Sequence, residues 1–432
     1  MTGYYFRDLV LLLIAWLLSA QVAVARVQYV DPSINPAAYS DGSEQAPWRN
    51  LQALIDNNGV KSGDRIVLKS GYYGSLSIRN KDLSLATTLK VGKGQTAQFS
   101  RVKISNSQNW VLQGLTVSAS FDLKTKPRYM IDIAQRTSKI TVEDFEIYTI
   151  EDSKIWTNVD WDKKAVSGIF IRGDDITVRN NRLRNVNYGI SSMGQRSIVS
   201  GNVIDQFSGD GLRGLGDYSV FEGNIVKNCY AVNKNHDDGF QSWSTGIDSK
   251  VGTGAVTGVV LRRNLFIAND DPQKDGNCQM QGIGLFDGMY VDWVIENNIV
   301  IVDHWHGITV MGAKNVRIIN NTVWDPNNKK PGPAWIRVWK HKNGTDPQGN
   351  LVANNLASAF KNSKIGVLQL QNQLIRNPYA LFVDPDNFDF RLKKGARAIN
   401  QGMDGLRVTE DFFGTPRPQG GRIDVGASEY RK

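Results

Sequence analysis

Cysteine, histidine and long apolar runs are all scarce in this chain of 432 residues. Two cysteines can form one disulfide bond but not a disulfide scaffold, and no CxxC pair offers zinc-ligand spacing. After the first 25 residues, no apolar run approaches the ~20 residues that a membrane-spanning helix needs. The sequence therefore excludes a disulfide-rich domain and a zinc ribbon, and it predicts no stable membrane insertion.

The N-terminus has the pattern of an export signal. Arg7 precedes an apolar core at residues 9–18, and the A-V-A triplet at 23–25 is a small-residue cleavage site. The apolar core is too short to cross a bilayer. We therefore expect residues 1–25 to be a cleaved signal peptide and the protein to be secreted or periplasmic.

Positive charge exceeds negative charge, since 51 Lys and Arg against 42 Asp and Glu give a net charge of +9. A basic exported protein favours a polyanionic partner. Nucleic acid is not expected, because the Lys and Arg residues are scattered and no recognition motif occurs. We expect an acidic polysaccharide as the partner of a monomeric protein.

A repeat of asparagines and glycines runs through the middle of the chain. Short strands need tight turns that tolerate left-handed backbone, and asparagines in successive turns can hydrogen-bond along a stack. A single coil cannot bury its apolar face, but stacked coils can. The repeat therefore predicts an all-β, single-domain parallel β-helix. The two columns are Asn181, Asn202, Asn224, Asn264, Asn298, Asn321 and Asn355, and Gly168, Gly189, Gly211, Gly239, Gly282 and Gly307.

The repeat also predicts how the rest of the chain is organised. Leu51, Leu54 and Ile55 share one helical face, which indicates a short amphipathic helix that caps the open end of the stack. We assign residues 26–370 to the β-helix with this cap. Residues 371–432 lose the period and are expected to form an irregular tail that packs on the helix.

Both ends of the chain resemble a known group. The opening segment YVDPSINPAAYSDGSEQAPWRNLQALID and the closing segments NPYALFVDPDNFDFRLKKGARAINQG and DFFGTPRPQGGRIDVGASEY are similar to those of exported β-helix proteins that act on polysaccharides, the pectate-lyase-like superfamily. The resemblance implies a right-handed parallel β-helix and a carbohydrate-active enzyme. It leaves the reaction open, because the superfamily includes lyases, hydrolases and epimerases.

Insertions into the repeat concentrate around one coil. Regular gaps from the asparagine column to the glycine column are 8 or 9 residues, whereas Asn224 to Gly239 is 15 and Asn264 to Gly282 is 18. The step from Gly239 to Asn264 is 25 residues, against a regular 13. Long loops on one coil of a rigid stack predict the walls of a cleft.

Polar residues line up beside the glycine column at this cleft. If coils stack in register, Asp210 and Asp238 lie about 5 Å apart, and His306 lies two coils further on. The first column contains the residue immediately before each glycine. The second column contains the residue that lies two positions after each glycine. The two columns contain Ser167, Tyr188, Asp210, Asp238, Gln281 and His306, and Phe170, Ser191, Arg213, Gln241, Gly284 and Thr309.

The reaction that we favour is β-elimination on a uronate polymer, as a polysaccharide lyase performs it. His236 is the candidate base, because an unperturbed His titrates at about 6.5. Arg213 is the candidate partner of the sugar carboxylate. Asp237 is expected to orient His236, and Asp210 and Asp238 complete the catalytic group. The expected substrate-binding residues are Gln241, Trp243, Gln281, His306, Trp305 and Arg337.

Three alternatives remain open. The first is a polygalacturonase-type inverting hydrolase, whose site is similar to the set Asp210, Asp237, Asp238, His306 and Arg337. Such an enzyme needs an acid and a base with room for a water molecule between them. The pair His236 and Asp237 resembles part of the motif of mannuronan C-5 epimerases. A polysaccharide-binding β-helix without catalysis is the third alternative.

No cofactor is clearly indicated by the sequence. The loop NDDPQKDGN is rich in acidic side chains, and calcium prefers oxygen ligands. Asp270, Asp271 and Asp275 are therefore the candidate calcium ligands.

Overall fold

The computed structural model describes residues 25–271, 278–327 and 329–431. The predicted signal peptide lies outside the described residues except for its last position. Two α-helices occur in the described part, α1 at Leu51–Asp56 and α2 at Asn158–Lys164, and neither is long and apolar enough to cross a membrane. Short 3-10 helices lie at Ala119–Phe121, Pro378–Ala380 and Pro385–Asn387.

Three long parallel sheets contain most of the described strands, and the chain visits sheet 1, sheet 2 and sheet 3 in turn on each coil. This is the parallel β-helix that the repeat predicts. Sheet 1 contains Ser75–Arg79, Arg101–Ser105, Tyr129–Ile133, Ser167–Ile171, Ile190–Ser192, Leu212–Gly214, Asp238–Trp243, Gln281–Asp287, His306–Met311, Trp335–Trp339 and Ala359–Phe360.

Sheet 2 contains Val27–Val30, Arg65–Leu68, Asp82–Val91, Gln108–Gln113, Ser138–Glu143, Thr177–Arg179, Ile198–Ser200, Val220–Glu222, Val260–Arg262, Val294–Glu296, Arg317–Ile319, Asn350–Ala353 and Val367–Leu370. Sheet 3 contains Gly71–Tyr72, Ala97–Phe99, Thr116–Ser118, Glu146–Tyr148, Arg182–Val186, Val203–Phe207, Ile225–Cys229, Leu265–Ile267, Ile299–Ile301, Thr322–Trp324, Leu356–Ala357 and Gln373–Leu374. Inward-facing aliphatic and aromatic side chains of the three sheets form one continuous core.

Two small sheets complete the strand inventory of the described residues. One is a parallel sheet of Val256–Thr257, Tyr290–Val291 and Ala313–Lys314. The other is an antiparallel hairpin of Phe382–Asp384 and Asp389–Leu392 in the tail.

The asparagine column forms a hydrogen-bonded ladder at the turn between sheets 2 and 3. From Asn181 to Asn355, each side-chain amide donates to the side-chain oxygen of the next ladder asparagine at 2.8–3.0 Å. The last acceptor is Asn372, which the sequence pattern did not include. Each amide also donates to a backbone carbonyl. Because these groups are paired, a polar column is tolerated inside the core.

The left-handed residue of each ladder turn is the residue that precedes the ladder asparagine. Asn180, Gly201, Gly223 and Arg263 have φ values of 57°, 64°, 63° and 56°. None of the seven ladder asparagines from Asn181 to Asn355 has a positive φ. The ladder asparagines supply the side-chain hydrogen bonds between coils. The residue before each of them adopts the left-handed conformation that the turn needs.

The column positions require glycine because a Cβ would collide with the next coil, and not because the backbone is left-handed. A Cβ on Gly189 would lie 2.3 Å from the carbonyl oxygen of Gly211, and a Cβ on Gly282 would lie 2.3 Å from that of Gly307. Real Cβ atoms do not approach so closely, so any larger residue would push the coils apart.

Helix α1 caps the N-terminal end of the stack, as predicted. Leu51, Leu54 and Ile55 are buried. The Gln52 side chain both donates to and accepts from the backbone of Ser77, at 2.9 Å each. Gln52 thus pairs with the first strand of sheet 1 as a neighbouring strand would, which protects an open sheet edge.

The tail covers the outer face of sheet 3. Phe382 and Phe390 of its hairpin belong to a second apolar cluster with Ile299, Ile301 and Trp324 of sheet 3. The last strand of sheet 3 ends at residue 374, so the coils extend slightly past the predicted boundary at residue 370.

The ladder predicts a large stability cost for losing one member. Asn264→Ala removes two donors and leaves the amide groups of Asn224 without their acceptor. We expect the free energy of unfolding to fall by about 3 kcal/mol, because buried polar groups lose their partners. Urea unfolding measures the change. Asn57→Ala, an exposed asparagine beside α1, is the control and should cost less than about 0.5 kcal/mol.

Candidate functional site

The inserted loops flank the site strand Asp238–Trp243, and a disulfide bond joins the bases of two of them. Cys229 ends a strand of sheet 3 and Cys278 lies just ahead of the next strand of sheet 1, and the two cysteines are bonded. The wall at residues 230–237 is supported from the other side by α2. There Trp161 stacks on Tyr230 with ring centroids 4.3 Å apart.

Strand pairing places the polar columns in the predicted register. Arg213 pairs with Gln241, Gln241 with Gly284, and Gly284 with Thr309. Arg337 continues the same column, because it pairs with Thr309. Side chains that are far apart in sequence thus share one outward face of sheet 1.

The first unit of the site is an ion pair between Asp210 and Arg213. The Nε of Arg213 donates to Oδ2 of Asp210 at 2.5 Å, and Oδ1 of Asp210 accepts the backbone N–H of Asp238 at 3.1 Å. The guanidinium carbon lies 3.7 Å from the centroid of the Tyr188 ring and 5.4 Å from that of Trp243. Asp210 is buried, so it fixes Arg213 from below while the guanidinium edge remains at the surface.

The second unit is Asp238 beneath Gln241. The Gln241 amide donates to Oδ2 of Asp238 at 3.0 Å. Oδ1 of Asp238 and Oε1 of Gln281 are both buried without a hydrogen-bond partner among the described residues, although Asp238 and Gln281 are paired across neighbouring strands. A Cβ on Gly284 would lie 2.3 Å from Oδ1 of Asp238, so this position has room only for glycine.

Burial favours the protonated form of Asp238. Loss of solvation, with smaller contributions from the negative charges of Asp210 and Asp237, raises the pKa of Asp238 well above its ordinary value of 3.8. Burial also raises the pKa of Asp210, against the opposing charge of Arg213. Neither Oδ1 of Asp238 nor Oε1 of Gln281 has a hydrogen-bond donor among the described residues. A proton on Asp238 would supply one.

A third unit lies further along the stack, around His306. Its Nδ1 is 2.9 Å from the hydroxyl of Thr309, and the indole N–H of Trp335 donates to the same hydroxyl oxygen at 3.1 Å. Arg337, the next residue of the column, lies over the rings of Trp335 and Trp339, at 5.4 and 4.6 Å from their centroids. The Nε of Arg337 is buried without a hydrogen-bond partner in the described part of the chain.

His304 and His306 are neutral near neutral pH. Burial lowers the pKa of each to about 4. Repulsion from positive charge on His304, Arg337 and His236 contributes to the lowered pKa of His306. The backbone N–H of His306 donates to Nδ1 of His304 at 3.1 Å, so the neutral His304 ring carries its proton on Nε2. His304 can therefore donate a hydrogen bond.

The predicted site residues fall into different layers. Asp210, Asp237, Asp238 and Gln281 are buried, while His236 is exposed in the loop ahead of the strand. Arg213, Gln241, Trp243, His306 and Arg337 are half-buried on the outward face, and Trp305 is 39% exposed. The structure thus presents cations, an amide and aromatic rings to the cleft, and it keeps the carboxylates beneath them.

The acid-rich loop does not form a cation site among the described residues. Asp270 forms an ion pair with Lys227 at 2.6 Å and accepts a hydrogen bond from Asn228 at 2.8 Å. Asp271 is exposed, and Asp275 lies outside the described residues. No cluster of three or more His, Cys, Asp or Glu side chains in the described chain has metal-binding geometry.

Sequence reasoning missed Tyr188, His304, Thr309 and Trp335 as functional candidates. Tyr188 and Thr309 already stood in the two polar columns, so the register itself could have found them. The contact between Trp335 and Thr309 depends on how side chains of two adjacent coils pack. The repeat pattern does not specify this packing.

The raised pKa of Asp238 predicts how a variant responds to pH. The contribution of Asp238 to stability falls as pH rises above its ordinary pKa of 3.8, because the folded state holds a proton that the unfolded chain releases. Asp238→Asn keeps a neutral donor at that position, so its stability relative to wild type should increase as pH rises above about 4. Urea unfolding at several pH values measures this difference. The exposed Asp346→Asn, away from the site, is the control. A difference between Asp238→Asn and wild type that does not change with pH would contradict a raised pKa of Asp238.

Comparisons with known proteins address the fold. Residues 167–357 match a family model described as "Right handed beta helix region". A search of curated proteins returned no match. Solved structures with a similar fold include the pectate lyase Pel9A, at 17% identity and a TM-score of 0.49, covering 95% of this chain and 98% of that one.

Two further solved structures show the same kind of likeness. A tailspike protein mutant of the E. coli bacteriophage HK620, in complex with a pentasaccharide, has 14% identity and a TM-score of 0.48, covering 77% of this chain and 64% of that one. An alginate lyase from Paenibacillus sp. has 14% identity and a TM-score of 0.38, covering 81% and 99%. The match at residues 167–357 and the sheet topology identify the coil stack as a right-handed parallel β-helix.

Proposed function

We propose that this protein is a polysaccharide lyase that cleaves a uronate-containing polymer by β-elimination. The observation that carries the proposal is the half-buried Arg337 beside the neutral His306 on the open face of sheet 1. β-Elimination needs a cation for the sugar carboxylate and a base for the proton on the adjacent carbon. The Arg337 side chain and the His306 ring supply these two groups on neighbouring coils.

Arg337 is suited to bind the carboxylate. Its guanidinium is held between Trp335 and Trp339, and burial lowers its pKa. Such a cation gains much from a carboxylate that pairs with it in a bidentate manner. Pairing also withdraws charge from the carboxylate, which acidifies the hydrogen on the neighbouring carbon.

His306 is suited to remove that hydrogen. In the tautomer that donates from Nδ1 to Thr309, the Nε2 atom keeps its lone pair and accepts the proton. The electron pair of the C–H bond then forms a C=C bond, and the bond to the glycosidic oxygen breaks. The departing oxygen takes a proton from water, and His304 can hydrogen-bond to it through Nε2–H.

The arrangement supports hydrolysis less well. An inverting hydrolase needs two carboxyl groups that reach the scissile bond and a water molecule. Asp210, Asp237 and Asp238 are at most 5% exposed, and Asp210 is already paired with Arg213. These acids are better suited to position Arg213 and Gln241 than to act on a sugar.

We also propose that the protein acts outside the cytoplasm as a monomer, on an acidic exopolysaccharide. The Cys229–Cys278 disulfide supports export, since disulfides persist mainly in oxidising compartments. The net charge of +9 supports an acidic polymer as the substrate.

The assay for the lyase reaction is the ultraviolet absorbance of the unsaturated product on a panel of uronate polymers. On a polymer that is cleaved, His306→Ala should lower kcat by about a thousandfold, as expected for loss of a general base. Arg337→Ala should lower kcat/KM by about a hundredfold, because a buried charge-assisted contact is lost. Arg391→Ala, an arginine on the tail hairpin, is the matched control and should be unchanged.

Other products would contradict the lyase reaction. New reducing ends without a rise in absorbance mean hydrolysis, and an altered sugar epimer by NMR means epimerisation. Polymer binding with none of these changes means a binding protein. Full turnover by His306→Ala would show that another group is the base.

The low pKa of His306 gives a separate test. The His306 ring should titrate at about 4 by NMR, because burial and the charge of Arg337 oppose its protonation. In Arg337→Gln the repulsive charge is gone, so the pKa should move toward the ordinary value of 6.5. An unchanged titration would mean that Arg337 does not act on this ring.

A further inference from the structure

The outward column of sheet 1 has cations at two separated positions. Arg213 and Arg337 both belong to it, and strand pairing places Gln241, Gly284 and Thr309 between them, one on each intervening coil. These intervening positions carry no positive charge. The two arginines are therefore four coils apart, or roughly 19 Å at the ordinary spacing of about 4.8 Å per strand.

A surface pocket adjoins the Arg213 end of this column. We call it the Lys126 pocket; it has a volume of about 460 Å³. Three cationic side chains, Lys126, Arg128 and Arg213, line it, and none of its lining residues is acidic. Arg213 donates to Asp210 through Nε and also interacts with the Tyr188 side chain, and the remaining N–H groups of its guanidinium can serve a ligand.

Aromatic rings make this pocket suitable for a sugar. Tyr129 and Phe170 stack with ring centroids 4.3 Å apart, and both line the pocket. Arg128 lies over the Tyr129 ring at 5.3 Å, and Tyr188 lies beneath Arg213. Rigid aromatic faces beside fixed cations bind the apolar face of a sugar and its carboxylate together.

We propose that the Lys126 pocket is a second anion-binding site and that the substrate is a heteropolysaccharide whose acidic sugars lie several residues apart. This inference rests on the proposed function, which places one uronate at Arg337. A second uronate then occupies the Lys126 pocket. When the second carboxylate pairs with Arg213, at the end of the pocket nearest to Arg337, the two acidic sugars are four coils apart. This is about the length of a tetrasaccharide repeat, because an extended hexose is about as long as one coil is tall.

A polymer with a carboxylate on every sugar fits this column less well. Such a chain would place further carboxylates over Gln241, Gly284 and Thr309, where neutral groups line the face. Charges that lose water without gaining a partner cost free energy. Uncharged sugars at these positions incur no such cost, and Gln241 can hydrogen-bond to their hydroxyls.

The test compares oligosaccharides of different length by isothermal titration calorimetry. The probes are fragments of deacylated gellan, which has a single glucuronate in each tetrasaccharide repeat: one fragment with one uronate and one with two. The protein with His306→Ala serves as the uncleaving background. In that background Lys126→Ala/Arg128→Ala should weaken binding of the longer fragment at least about tenfold, because the second contact of a bivalent ligand is lost. Binding of the shorter fragment should change by less than about twofold.

Controls make the result specific. Arg391→Ala/Lys394→Ala removes the same charges from the tail and should leave both affinities unchanged. Oligogalacturonate of the longer length should bind the parent protein more weakly than the longer gellan fragment. Equal loss for both gellan fragments, or no loss for either, overturns the second site. Tighter binding of oligogalacturonate overturns the spacing of the acidic sugars.

The cleavage assay and the binding assay distinguish failure of the lyase reaction from failure of the second site. If no polymer yields unsaturated product but the length-dependent loss persists, the lyase reaction is wrong and the two-site surface stands. If gellan and polygalacturonate are cleaved equally well and the variant has no effect on either, the lyase reaction stands and the second site is wrong.

Discussion

The whole structure depends on coils that stack without slipping. The buried ladder from Asn181 to Asn372 fixes this register, because each side chain pairs with the coil after it and with a backbone carbonyl. Glycines on the other side of the core let the coils approach closely. A slip of one residue along a strand would turn each outward side chain of the cleft inward. The ladder therefore sets the geometry of the site, although it lies between sheets 2 and 3, away from the cleft.

On that frame the site has two layers with different tasks. Buried acids form the lower layer: Asp210 holds Arg213, and Asp238 holds Gln241. The upper layer presents cations, imidazoles and indoles to the cleft. Keeping negative charge below and positive charge above makes the surface attractive to an acidic polymer, and it leaves His306 neutral and able to accept a proton.

The sequence predicted the fold and the register well, because both arise from local periodicity. Seven ladder asparagines, the capping helix and the alignment of Arg213 with Gln241 all follow from residue spacing. The same reasoning did not predict that Asp238 lies beneath Gln241 rather than in the cleft, because depth depends on how side chains pack. It named His236 as the base, whereas the proposed function uses the half-buried His306 and Arg337, which lie two and three coils further along. Contacts such as that between Thr309 and Trp335 become visible only once the coils are stacked.

The most direct test of this account is a crystal structure of the His306→Ala protein with a bound acidic oligosaccharide. The account predicts a sugar chain that runs along the outward column of sheet 1, with one carboxylate on the guanidinium of Arg337. A chain bound across the tail, or on another sheet, would contradict it.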